Sequence, residues 1–181
     1  VIGTRVNIGQ APTIASRDVS YQSIRPQAFL NDASVPSHLY VTWQEYLPTN
    51  DNPNEGNWEA YMAQVDTTSP TPYDGTRDSF TVTPLGGGLV SDTATSSLYP
   101  TITGDDADNL FVFWQEGFDN EPDGDIDNWE IYGKALVGGA WVGAITGGAA
   151  GDNVSNNAGY SQHPKAAMDP SGRPYVTWDD N

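Results

Sequence analysis

Seven carboxylates stand in the fifteen residues from 116 to 130: Glu116, Asp119, Glu121, Asp123, Asp125, Asp127 and Glu130. At that density they repel one another unless a cation sits among them. Asp123-Gly124-Asp125-Ile126-Asp127 sets acids at alternate positions around a glycine, a compact supply of hard oxygen of the kind Ca2+ prefers. The full EF-hand loop pattern is absent. Asp119, Asp123, Asp125 and Asp127 are therefore the candidate Ca2+ ligands, with a solvated acidic loop as the alternative reading. The stretch 45–59 holds a thinner version, with Asp51, Glu55 and Glu59 among four asparagines. Zinc fits less well, because the chain has no cysteine and its two histidines, His38 and His163, lie outside both loops.

The acids that flank these loops raise a second chemistry. Glu45, Glu116 and Asp180 follow tryptophans, and Glu59 and Glu130 sit in Asn-Trp-Glu triplets. Two carboxylates facing one substrate can hydrolyse a glycosidic bond. Acids that recur at equivalent places are more simply scaffold, accepting hydrogen bonds from Trp or backbone N–H groups, whereas a catalytic pair occupies one asymmetric place. Aromatic side chains near the loops offer faces on which a sugar ring could stack. Tyr46, Tyr73 and Phe118 are the candidates, while most tryptophans occupy repeat positions suited to packing. No Gly-x-Ser-x-Gly elbow occurs, and the Gly86–Gly88 run lacks the strand-loop-helix setting of a phosphate loop.

The elements that would position these residues are repeated. Pro26, Pro100 and Pro164 are each followed five residues later by Asn31, Asp105 or Asp169, and then by a strand ending at Trp43, Trp114 or Trp178. From Trp43 to Trp58 and from Trp114 to Trp129 the interval is 15 residues. Repetition at such a period marks stacked units of supersecondary structure. Tyr-Val-Thr-Trp, Phe-Val-Phe-Trp and Trp-Glu-Ile-Tyr are runs of β-branched and aromatic residues bounded by turn formers, hence strands. Gly138-Gly139 predicts a tight hairpin into Trp141–Ile145. Phe80–Thr83, and Arg5–Ile8 at the start, occupy the equivalent outer-strand place. Segments 66–79 and 146–162 read as long loops.

The predicted fold is all-β, made of β-propeller-type four-stranded antiparallel blades in about three repeats, the last incomplete. The division is 1–24 as outer strand and lead-in loop, 25–98 and 99–162 as complete repeats, and 163–181 as a partial one. A β-sandwich is the alternative, although it leaves the repetition unexplained. His163–Asp180 resembles the blade repeat of bacterial secreted propellers related in fold to sialidases. That resemblance implies a fold and no activity. The family's carboxylate-binding arginines, its Tyr-Glu nucleophile and its Asp acid find no counterparts here. Arg25-Pro26 is similar to the early Arg-x-Pro signature, but Arg25 shares its repeat position with Tyr99 and His163. Tyr73-Asp74-Gly75-Thr76 departs from the family's Ser-x-Asp-x-Gly-x-Thr-Trp box.

A formal charge of −17, with only seven Lys and Arg, disfavours nucleic acid and anionic membranes as partners. No apolar run is long enough to insert in a membrane. The acidity and the scarcity of Lys point to an extracellular or cell-surface setting, and the resemblance implies a bacterial one. The absence of Met at Val1 implies a removed leader or a segment of something longer. Three repeats do not close a ring, so self-association through the incomplete edge, or a longer chain, is expected. Asn153-Val154-Ser155 is a glycosylation sequon. Two functions follow as expectations. One is a non-catalytic extracellular module, Ca-stabilised, for adhesion, glycan binding or self-assembly into an oligomer or filament. The other is a fragment of a sialidase-like hydrolase.

Overall fold

A computed structural model describes residues 23–33, 37–48, 56–65, 82–118, 126–146 and 151–181. Among these residues the protein is all-β, with antiparallel sheets and no helix. Sheet 1 contains β1 (Ser23–Asn31), β2 (His38–Pro48), β3 (Gly56–Val65) and β4 (Val82–Leu89), joined in chain order as an antiparallel meander. Sheet 2 repeats it with β5 (Ser97–Gly104), β6 (Leu110–Phe118), β7 (Asn128–Val137) and β8 (Ala140–Gly143). A two-residue strand, β9 (Asp152–Asn153), also pairs with β7. Sheet 3 is the hairpin of β10 (Ser161–Met168) and β11 (Pro174–Asp180).

The Trp-ended strand and the Asn-Trp-Glu strand pair in the same register in both complete sheets. Trp43 lies opposite Tyr61 and Trp114 opposite Tyr132; Glu45 faces Glu59 and Glu116 faces Glu130. The 15-residue interval in the sequence is thus a register, fixed by side chains that alternate across the pleat. The Gly138-Gly139 hairpin forms as expected: both glycines have positive φ (58° and 83°), as a two-residue turn between strands requires.

One predicted strand is longer and one predicted loop changes. The fourth strand of sheet 1 runs on through the glycines to Leu89, with left-handed φ at Gly86 and Gly88 and a register shift against β3. An edge strand tolerates such irregularity because only one neighbour constrains it. Segment 146–162 holds β9 and the start of β10, while 66–79, Arg5–Ile8 and Phe80 lie outside the described residues.

Successive sheets stack face to face. β5 lies across β1, β2 and β3, and β10 lies across β5, β6 and β7. Between sheets 1 and 2 is the main core, where Tyr40, Ala60, Met62 and Val90 meet Ile102, Leu110, Val112, Trp114 and Leu136. Val41, Trp43, Tyr61, Ala63 and Val65 form a second buried cluster within sheet 1.

Candidate functional site

Each first strand opens with a serine three residues before its proline, and register places that serine opposite the acid of the second strand. The pairs are Ser23 with Glu45, Ser97 with Glu116 and Ser161 with Asp180. The hydroxyls donate to those carboxylates at 3.0, 2.6 and 2.9 Å. Trp43 and Trp114 stand two residues before Glu45 and Glu116, on the same face of their strands, and their indole N–H groups donate to the same oxygens at 3.0 and 2.7 Å. Glu45 and Glu116 therefore accept Trp N–H, as the repeat argument expected, and all three acids accept Ser O–H.

The carboxylates of the third strands are bound as fully. Asn57 and Asn128 donate to Glu59 and Glu130 at 2.6 and 3.0 Å. Ser91 and Ser155 donate to the same glutamates through short bonds, while their oxygens accept the N–H groups of Ala60 and Ile131. Sequence reasoning passed over these serines, although Val90-Ser91-x-x-Ala94 and Val154-Ser155-x-x-Ala158 lie 64 residues apart, as do Pro100 and Pro164. The sequon serine is thus spent on the scaffold.

Between sheets 1 and 2 the two networks join, because Ser97 also reaches Glu59 at 3.4 Å. Burial pushes the Glu59 carboxyl up to about 7, with the neighbouring Glu116 adding to the shift against the opposing hydrogen bonds. Burial also raises Glu45. Lys134 is held nearby by the Val90 carbonyl at 2.7 Å, and its burial lowers its pKa.

A second constellation marks the bulges of the first strands. Arg25, Tyr99 and His163 each precede a proline and adopt left-handed backbone, with φ of 57°, 54° and 55°. The strand register slips there in all three sheets. Such backbone costs a non-glycine residue roughly 1–3 kcal/mol, so something must hold it. The Tyr99 N–H donates to Gln44 at 2.9 Å and the His163 N–H to Gln115 at 3.1 Å, each glutamine belonging to the preceding sheet. The side chains form a row: the Arg25 guanidinium lies 3.9 Å over the Tyr99 ring, and Tyr99 meets His163 edge-on at 4.5 Å. His163 also contacts Asp179 at 3.2 Å.

At the opposite ends of these strands, Asn31, Asp105 and Asp169 organise the turns. Asp105 accepts the N–H groups of Ala107 and Asn109, and Asp169 those of Ser171 and Arg173. Asp108, at φ 60°, takes the place that Gly172 (φ 77°) holds in sheet 3. Its carboxylate meets His38 at 2.8 Å and accepts from Asn31 at 2.6 Å, binding the turn of sheet 2 to sheet 1. Burial opposes ionisation of Asp108, but the bonds from Asn31, His38 and Tyr40 together outweigh it and lower its pKa.

Asp119, Asp123, Asp125 and Tyr73 lie outside the described residues. Asp127 is exposed, with its N–H on the Phe118 carbonyl at 2.7 Å. Among the described residues no group of three or more His, Cys, Asp or Glu side chains is placed to hold a metal ion. Tyr46 packs on Trp58 (5.4 Å) in sheet 1 and Phe118 on Tyr132 (5.7 Å) in sheet 2. Comparison with family models, with curated proteins and with solved structures finds no match.

Proposed function

We propose that this chain is a run of β-propeller blades, two whole and one begun, in a non-catalytic extracellular module. Its work is to present a surface for adhesion, glycan binding or self-assembly rather than to transform a substrate. One observation supports this most. The acids that a glycoside hydrolase would need, Glu45, Glu59, Glu116, Glu130 and Asp180, all stand at repeated positions and each is engaged by scaffold donors. Glu45, Glu59, Glu116 and Glu130 are 1–4% exposed and so out of a substrate's reach, Glu59 included although burial raises its pKa. The face-to-face succession of like meanders favours blades over a two-sheet sandwich.

The test is an assay of the full chain on a panel of aryl glycosides, sialosides included, beside binding to immobilised glycans. The reading expects no turnover, and glutamine at Glu59 or Glu116 to change stability alone. Turnover that vanishes in a well-folded Glu116→Gln variant would instead make the chain part of a hydrolase. Calcium belongs to the same proposal, through Asp119, Asp123, Asp125 and Asp127. A bound ion at a hundred times its dissociation constant adds about 2.7 kcal/mol to folding, so a chelator should lower the melting temperature. A melt unmoved by either would remove calcium.

A further inference from the structure

The two junctions between sheets differ in their supply of hydrogens. At the first, the hydroxyls of Ser97, Thr93 and Thr95 make six oxygen–oxygen contacts with only three hydrogens between them. Ser97 stands 2.6 Å from Glu116 and 3.4 Å from Glu59. Thr93 stands 3.3 Å from Ser97 and 3.0 Å from the Thr95 carbonyl, and Thr95 2.7 Å from Glu116 and 2.5 Å from the Gly117 carbonyl. The Ser97 hydrogen belongs to the nearer carboxylate. Its contact with Glu59 is then lone pair against lone pair while both glutamates are ionised. A proton on Glu59 turns that contact into a bond and completes an O–H···O–H···O chain from sheet 1 to sheet 2.

At the second junction Asn157 stands where Thr93 does, 64 residues on. The backbone N–H groups confirm the match, Thr93 donating to Glu59 at 3.2 Å and Asn157 to Glu130 at 3.4 Å. The Asn157 amide, however, carries two hydrogens, and it reaches Ser161 at 3.1 Å and Asp180 at 2.8 Å. It serves serine and carboxylate at once, which a threonine hydroxyl with its single hydrogen cannot.

We propose that one proton, held between Glu59 and Glu116 through Ser97, latches sheet 1 to sheet 2 and loosens that junction alone when it leaves. The charges around Glu59 come from every element packed there. Glu45 lies across β2, Asp92 follows β4, Glu116 is on β6, and Glu130, Tyr132 and Lys134 are on β7. The acids favour uptake of the proton. Lys134, bound to the Val90 carbonyl, is the cation that opposes it. Burial, with the charge of Glu116 added, raises the Glu59 carboxyl to about 7, so release falls near neutrality. The glutamates act as a coupled pair, the proton being common to both.

The experiment is carbon NMR of the full chain labelled at the glutamate carboxyls, titrated from pH 4 to pH 9, beside amide hydrogen exchange. One glutamate is expected to titrate near neutrality and to vanish from the spectrum in Glu59→Gln. Protection of β5 amides, corrected for intrinsic rates, should fall about tenfold from pH 6 to pH 8, and that of β10 should not follow. Thr93→Asn, which copies the second junction, should bring the titration down toward the ordinary glutamate range and abolish the loss of protection. Thr93→Val, which supplies no hydrogen, should keep both. Lys134→Met should move the titration upward. Circular dichroism checks that every variant is folded. The proposal is overturned if no glutamate titrates above pH 6, or if Thr93→Asn leaves the titration where it was. It is overturned too if Thr93→Val lowers the titration as asparagine does.

Discussion

The junction between sheets 1 and 2 and the junction between sheets 2 and 3 share a polar frame and differ in what fills it. Both have a glutamine amide accepting the N–H of a left-handed residue, and both have a serine on a carboxylate across the first hairpin. Among the described residues only the first encloses a large buried apolar cluster, with Trp114 at 1% exposure and Val112 at 0%. Its frame includes two buried glutamates linked through Ser97 and the His38–Asp108 contact, where the second has the exposed Asp180 and Gly172. The frame sets how sheets are placed, whereas apolar burial sets how firmly they are held.

The largest test of that difference is truncation of the equivalent tryptophans. Trp114→Ala should cost about 3–5 kcal/mol in urea melts, because it opens a cavity in the core and strips Glu116 of a donor. Trp178→Ala, at a half-buried position in sheet 3, should cost well under half of that. Equal losses would mean that both junctions are held alike.

Next comes pH. Glu59 folds with its pKa raised to about 7, so the protonated form is the one the fold favours. Its contribution is complete below the unfolded value near 4.5 and is lost as pH rises through 7. Stability should therefore decline from pH 5 to pH 8, by an amount on the order of 2 kcal/mol from this group. Glu59→Gln should flatten that decline, and thermal melts across the range read it. An undiminished slope in the variant would place the effect elsewhere.

The smallest effect expected is at the turns. Asp108→Ala keeps the left-handed strain and discards the bonds to His38 and Asn31, and should cost roughly 1–2 kcal/mol. Asp108→Gly relieves the strain and should lose less. Gly172→Ala, which gains strain without any bond, should cost about 1 kcal/mol. If glycine at 108 proves as costly as alanine, strain is not part of the balance there.

What the sequence revealed follows from what each residue type can signal. Prolines, tryptophans and turn acids are uncommon and restrictive, so their intervals disclosed the strand pairing and the scaffold role of the acids after tryptophan, while the Gly138-Gly139 pair itself announced its hairpin. Ser91, Ser155, Gln44 and Gln115 carry as much of the network but are ordinary polar residues, and only their partners make them particular. The left-handed backbone at Arg25, Tyr99 and His163 was invisible because none is a glycine and all precede proline, a position biased toward extended backbone. The His38–Asp108 contact joins residues 70 apart, beyond any local pattern.

The glutamine that receives a main-chain N–H has a consequence for how such a molecule can change over generations. The donor is backbone, so the identity of the side chain at that step is free, as Tyr99 and His163 illustrate. A unit copied or exchanged within the gene arrives with its own donor and its own acceptor, ready to fit whichever unit precedes it. Lengthening the array then demands no matched substitution at the new boundary, and the residues in the row are left available for selection by other needs.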